Sequence, residues 1–145
     1  MYNTIRYMKK LVIILVMVFV GHFSYAQLGL AFHQSNLPFV GVSYGIGERF
    51  LPEFRLGTDN FFEDTSLELV VNYVFVKQES VEAYGGLGVR AQIFEGPLIP
   101  LGINVYPFAQ KNFGFHMELA GLLSSDEGGL LRGSWGIRYR FLEKL

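Results

Sequence analysis

Residues 131–141 read LRGSWGIRYRF, and this stretch decides the fold. Leu131, Gly133, Trp135, Ile137, Tyr139 and Phe141 hold one set of alternate positions. Arg132, Ser134, Gly136, Arg138 and Arg140 hold the other. Successive side chains of a β-strand point to opposite faces, so one side of this segment is apolar and aromatic and the other cationic. A broad aromatic face needs a protein core or a lipid bilayer. Three arginines need water or carboxylates. Which medium lies on which side fixes the class of protein.

The same alternation recurs in seven further segments separated by turn-type residues. The eight are expected at residues 28–33, 39–46, 50–58, 65–76, 80–94, 98–108, 112–123 and 130–142. One face collects Leu28, Leu30, Phe32, Val40, Val42, Phe54, Leu69, Val71, Leu87, Val89, Leu101, Ile103, Met117 and Leu119, and carries no charge. The other collects Gly, Ser and Asn with most of the arginines, together with Glu53, Glu68, Glu82, Glu118 and His116. A soluble barrel turns the apolar face inward; a membrane barrel turns it out to lipid.

Three features favour the membrane arrangement. The charged face is glycine-rich, as a crowded narrow interior requires. Within the segments it uses Arg and not Lys; Lys77, Lys111 and Lys144 fall in expected turns or the tail. Outward aromatics also gather at one end. If both termini share a side, Tyr44, Phe50, Tyr73, Phe75, Phe113, Phe115, Tyr139 and Phe141 form a single girdle there. Aromatic rings suit the headgroup boundary. The reading is an all-β, eight-stranded antiparallel up-and-down transmembrane β-barrel.

This pattern resembles the small eight-stranded outer-membrane barrels of the OmpA/OmpX type over the whole chain after residue 26. The resemblance implies an outer-membrane location in a Gram-negative envelope, with termini and tight turns on the periplasmic side. It implies contact with outer-membrane lipid and lipopolysaccharide, and handling by the outer-membrane assembly machinery through Tyr139 and Phe141. Such barrels often end on an aromatic residue, whereas here Phe141 is followed by Leu142-Glu143-Lys144-Leu145.

The N-terminus agrees with export. Arg6, Lys9 and Lys10 precede the apolar run LVIILVMVFV at residues 11–20, and Ser24-Tyr25-Ala26 supplies a small-x-small site. That is the build of a signal peptide over residues 1–26, too short an apolar run for a spanning helix. Residues 27–145 then form one barrel domain. Losing those three cations moves the formal charge from -1 to -4, which does not suit nucleic acid. With no cysteine, disulfides and thiolate metal sites are excluded.

Turn lengths give a trial register. Gly47-Glu48-Arg49 as a three-residue loop pairs Ile46 with Phe50. Ala109-Gln110-Lys111 pairs Phe108 with Asn112. Arg55 then lies opposite Glu68, Glu68 opposite or diagonal to Arg90, and Glu118 diagonal to Arg138. An unpaired charge in a narrow lumen is costly, so an ionic network is expected from Arg55, Glu68, Arg90, Glu118, Arg132, Arg138 and Arg140, with Glu53 and Glu82 nearby. An eight-stranded barrel is just wide enough for its own side chains to fill, so a polar plug is preferred to a pore.

Other chemistry is less well supported. His33-Gln34-Ser35-Asn36 resembles the catalytic stretch of outer-membrane lipid A deacylases, in which His activates Ser, which makes His33 and Ser35 weak catalytic candidates. His116 and Glu118 share a face at a spacing that suits a metal, but no second His pair supports one. Asp59, Glu63, Asp64, Asp126 and Glu127 mark acidic loops whose default is solvation. Pro52 removes a ladder donor inside the third segment, so that strand is expected to start late or to bulge. The function expected is structural or envelope-stabilising, in a monomer without cofactor or metal. A lipid A-modifying enzyme and a soluble periplasmic barrel for an apolar ligand are the alternatives.

Overall fold

The structure, a computed structural model, describes residues 13–14, 28–58, 65–92, 94–126 and 128–141. The expected signal peptide therefore lies almost wholly outside the described residues, as do the acidic loop residues Asp59, Glu63, Asp64 and Glu127. Eight strands follow in order: β1 Leu28–Gln34, β2 Phe39–Tyr44, β3 Phe50–Gly57, β4 Leu67–Lys77, β5 Val81–Ala91, β6 Gly96–Val105, β7 Phe113–Ser124 and β8 Gly128–Arg140. Each pairs antiparallel with its sequence neighbours, and β8 pairs with β1, which closes the barrel. Closure leaves no open edge to template another chain.

The alternation resolves as the membrane arrangement requires. Leu30, Val42, Leu69, Leu87, Leu101, Met117, Leu119, Leu131, Trp135 and Ile137 are exposed on the outside. His33, Glu53, Arg55, Glu68, Arg90, Glu118, Arg132 and Arg138 are buried inside. A soluble barrel with an apolar interior would need the opposite polarity. The inside is not wholly polar, however. Val70, Leu98, Ala120 and Leu122 form a buried apolar wall, covered by Phe94 and Leu130, toward the end away from the termini.

Register agrees with the turn chemistry. Ile46 bridges Phe50 around Gly47, whose φ is +63°. Arg55 pairs with Glu68, and Glu68 pairs directly with Arg90. The Phe108–Asn112 pairing is not reached, because the β6–β7 ladder ends at Val105–Phe115. β5 also stops earlier than its alternation suggests, because Gln92 and Phe94 adopt φ of 71° and 56°, which turns the chain out of the strand. Lys77 is the last residue of β4 rather than a turn residue.

Pro52 neither delays β3 nor bulges it; it pairs with Val71 on the β4 side. Its effect falls on the other side. The β2–β3 ladder stops at Ser43–Glu53 and resumes only at the Ile46–Phe50 bridge, leaving Pro52 in the gap. Pro100 does the same between β5 and β6, where pairing skips from Gly85–Leu101 to Gly88–Leu98. A proline brings no N–H to the ladder, and here each faces the interruption. The bulge that does occur lies in β4, between Val74 and Val76.

Candidate functional site in the barrel lumen

Inward parity places the charged residues in three groups. The central group is built on β3 and β7. Arg55 donates Nη1 and Nη2 to the two carboxylate oxygens of Glu118 at 2.8 and 2.7 Å, and Nε to Glu53 at 2.7 Å. Tyr84 donates its hydroxyl to Glu118 at 2.7 Å. Arg138 donates Nη2 to Glu53 at 2.8 Å and lies 3.5 Å from Ser43 Oγ.

The second group surrounds Glu68, nearer the end away from the termini. Arg90 and Arg132 both donate to its Oε1, and Arg132 reaches Oε2 at 3.2 Å. Arg90 also donates to Ser66 Oγ at 2.9 Å. Arg55 links the groups, its Nη1 3.5 Å from Glu68 Oε2. The third group closes the terminal mouth. Arg140 donates to Glu82 at 3.0 Å and to the Lys111 carbonyl at 2.6 Å, and its guanidinium lies 3.7 Å from the Tyr106 ring centre. All nine residues expected in a lumen network therefore line the lumen, and each touches an opposite charge.

Forks of this kind are the strong form of the ion pair, because two parallel charge-assisted bonds fix both position and angle. In a buried interior the attraction must offset desolvation, and here each carboxylate carries two or more donors. Glu118 does not reach Arg138 as a diagonal neighbour, however. Glu118 stands opposite Ser134, and Arg138 opposite Gly114, four residues away along β8. The tight β7–β8 turn fixes this register from Ser124–Gly128 onward. Arg138 turns to Glu53 instead, and Glu118 reaches across the lumen.

Aromatic rings brace the charges. Phe39, buried at the start of β2, lies 4.7 Å from the Arg55 guanidinium and 4.4 Å from that of Arg132. A ring face attracts a cation, more so without water. His33 stacks on Phe39 with ring centres 4.1 Å apart and meets His116 at 3.7 Å. Glycines make room for these groups. A Cβ on Gly102 would run into the Tyr84 ring, and one on Gly41 would lie 2.8 Å from the Glu53 carboxylate. Phe39, Tyr84 and Tyr106 join the lumen beyond the residues expected from sequence. Their signal was parity alone: Tyr84 shares the face of Glu82 and Arg90, and Phe39 that of Gly41 and Ser43.

The candidate catalytic pair is not brought together. His33 is buried and faces Ser134 Oγ at 3.2 Å, while Ser35 Oγ in the turn accepts the Leu37 backbone N–H at 3.0 Å. Among the described residues no group of three metal-ligand side chains fits an ion, and the Glu118 of the His116–Glu118 pair is taken by Arg55 and Tyr84.

On the outside, Phe50, Tyr73, Phe75, Phe115, Tyr139 and Phe141 are exposed toward the terminal end, with Tyr44 and Phe113 partly so. Rings meet edge to face in Phe50–Tyr73 at 5.3 Å, Phe113–Phe115 at 5.6 Å and Tyr139–Phe141 at 4.9 Å. Phe108, 5.9 Å from Phe113, extends the band beyond the eight rings expected.

No protein-family profile and no curated protein matches the chain. Solved structures do. The chain is similar to the N-terminal β-barrel domain of Pseudomonas aeruginosa OprF, with a TM-score of 0.60 and 15% identity, over 80% of this chain and 96% of that one. It is similar to a de novo designed transmembrane β-barrel, with a TM-score of 0.60 and 16% identity, over 80% of this chain and 94% of that one. At such identities the likeness establishes the fold: a closed eight-stranded antiparallel barrel of the transmembrane kind.

Proposed function

We propose that the chain is a small, monomeric outer-membrane barrel with a structural, envelope-stabilising role and a closed polar lumen. In this reading it is exported by a signal peptide cleaved after Ala26, and its termini face the periplasm. The assembly machinery engages its last strand through Tyr139 and Phe141, and the far loops meet lipopolysaccharide.

One observation carries the closed lumen. Arg55 and Glu118 join β3 to β7, and Arg132 and Glu68 join β4 to β8, through side chains almost wholly withdrawn from solvent. Two struts across so narrow a ring oppose conduction. The outward apolar face and the girdle support the membrane, because a bilayer is the medium in which that surface costs least. A lipid A-modifying activity would need His33 to activate Ser35, and their separate partners argue against it.

Cell fractionation followed by a heated-versus-unheated gel tests the location. The protein is expected in the outer membrane and shifts mobility on boiling. A soluble periplasmic product would overturn the location. Planar-bilayer recordings test the lumen: baseline current is expected, and large stepwise conductance would overturn the plug.

A further inference from the structure

Two cations are fixed at the terminal rim, beside the aromatic girdle. The β3–β4 ladder ends at Phe50–Tyr73, but β4 runs on to Lys77 with β5 on its other side. The β2–β3 turn fills the edge left over. Arg49 donates Nη1 to the carbonyls of Val74 and Phe75 at 3.0 and 3.2 Å, and its own carbonyl accepts the Val74 N–H at 2.8 Å. Lys77 donates Nζ to the Glu48 carbonyl at 2.9 Å. Backbone carbonyls across this corner thus hold both cations, and both residues stay exposed. Glu48 and Glu79 stand in the same two turns, yet among the described residues neither cation forms an ion pair.

An apolar groove begins at the same corner. Phe75, whose carbonyl holds Arg49, lines a groove of about 630 Å³ on the outer face, together with Ala83, Leu101, Met117, Gly133 and Trp135. The register gives its course. Ala83 pairs with Ile103, Ile103 with Met117, and Met117 with Trp135. Ala83, the third residue of β5, also pairs with Val76, the neighbour of Lys77. Trp135 lies near the middle of β8. A row across tilted strands climbs a barrel obliquely. The groove therefore runs from beside the cations at the rim to the mid-height of the wall.

We propose that rim and groove together bind one anionic diacyl phospholipid, with its phosphate on Arg49 and Lys77 and one acyl chain in the groove as far as Trp135. A guanidinium meets phosphate oxygens with parallel donors, and an ammonium adds a compact point charge. A soluble phosphate would leave the groove unfilled. A zwitterionic lipid would bring a cation of its own toward Arg49 and Lys77. An anion joined to an apolar chain answers both parts. The inference rests on the membrane location of the proposed function.

The test uses the protein reconstituted in vesicles of phosphatidylcholine, where Trp135, the one tryptophan of the sequence, reports on the groove. Phosphatidylglycerol or phosphatidylcholine, brominated deep on the acyl chain, is titrated in. Half-maximal quenching is expected at about tenfold less of the anionic lipid, a ratio two cations near a lipid phosphate can supply after screening by salt. Arg49→Gln with Lys77→Gln should bring the two lipids level and leave quenching by phosphatidylcholine unchanged. Should the double variant fail to fold, the wild-type ratio decides alone. Equal quenching by the two lipids in the wild type overturns the proposal, and so does a preference that survives in the double variant. Quenching by neither lipid would overturn the membrane location as well, so the two failures are told apart.

Discussion

Arg55 and Glu118 meet across the full width of the barrel, guanidinium to carboxylate, through two bonds of 2.8 and 2.7 Å. Their strands, β3 and β7, lie four apart whichever way the eight-stranded ring is followed. Arg132 and Glu68 stand in the same relation on β8 and β4. Two diametral struts therefore span the lumen, joined where Arg55 also approaches Glu68. Ladder hydrogen bonds hold each strand only to its neighbours; these side chains tie opposite walls.

Replacing Glu118 by Gln keeps the shape and removes the charge. Arg55 then keeps Glu53 as its nearest anion, and Tyr84 loses a charged acceptor. Breaking a buried pair from one side costs about 3–5 kcal/mol. The urea midpoint for unfolding should fall accordingly, while bilayer current stays at baseline. Replacing Arg55 by Met and Glu118 by Leu together should recover much of the loss, since a matched apolar pair leaves no stranded charge. A double variant weaker than either single one would contradict this account.

Glycine seats allow a second test. A side chain at Gly102 meets the Tyr84 ring and would push its hydroxyl away from Glu118. Gly102→Val should cost about 1–3 kcal/mol, the usual range for overpacking. Gly121, whose Cβ would meet nothing within 4 Å, should accept Ala with a change of about 0.5 kcal/mol or less. Equal urea midpoints for the two variants would rule out the steric role of Gly102.

The same contrast explains what the sequence made legible. Period-two alternation marked all eight strands and assigned each face, because a one-residue slip would have turned charges to lipid. Arg55, Glu68 and Arg90 were readable as neighbours because short turns fix adjacent registers. The Arg55–Glu118 strut was not, since its partners share no ladder and meet only once the ring closes. The inward places of Phe39, Tyr84, Leu98 and Leu122 are not legible in sequence, because an aromatic or aliphatic residue on a polar face reads locally as an exception. Its reason, a ring between two guanidiniums or an apolar wall, is a tertiary contact.

A charge placed on the outer face separates a membrane barrel from a soluble one. Leu119 projects outward near the middle of β7, 55% exposed. Leu119→Arg should cost about 2–4 kcal/mol for folding into bilayers, the range for an arginine at the membrane midplane. The same change at a solvated position would be nearly neutral. Refolding into vesicles, followed by urea titration, gives the number; a loss below about 0.5 kcal/mol would place that face in water.

Trp135 reports on the same face without a substitution. It is the one tryptophan of the sequence, lies near the middle of β8 and is 65% exposed on the outside. If that surface meets acyl chains, bromine carried deep on the chains should quench its emission more than bromine near the headgroups. Aqueous iodide should have little effect. With Trp135→Phe in place, Phe141→Trp in the terminal girdle should reverse the order and respond best to the shallow quencher, since aromatic belts sit at the headgroup level. Iodide quenching of Trp135 in vesicles as strong as that of free tryptophan would remove the apolar face from the bilayer, and the membrane assignment with it.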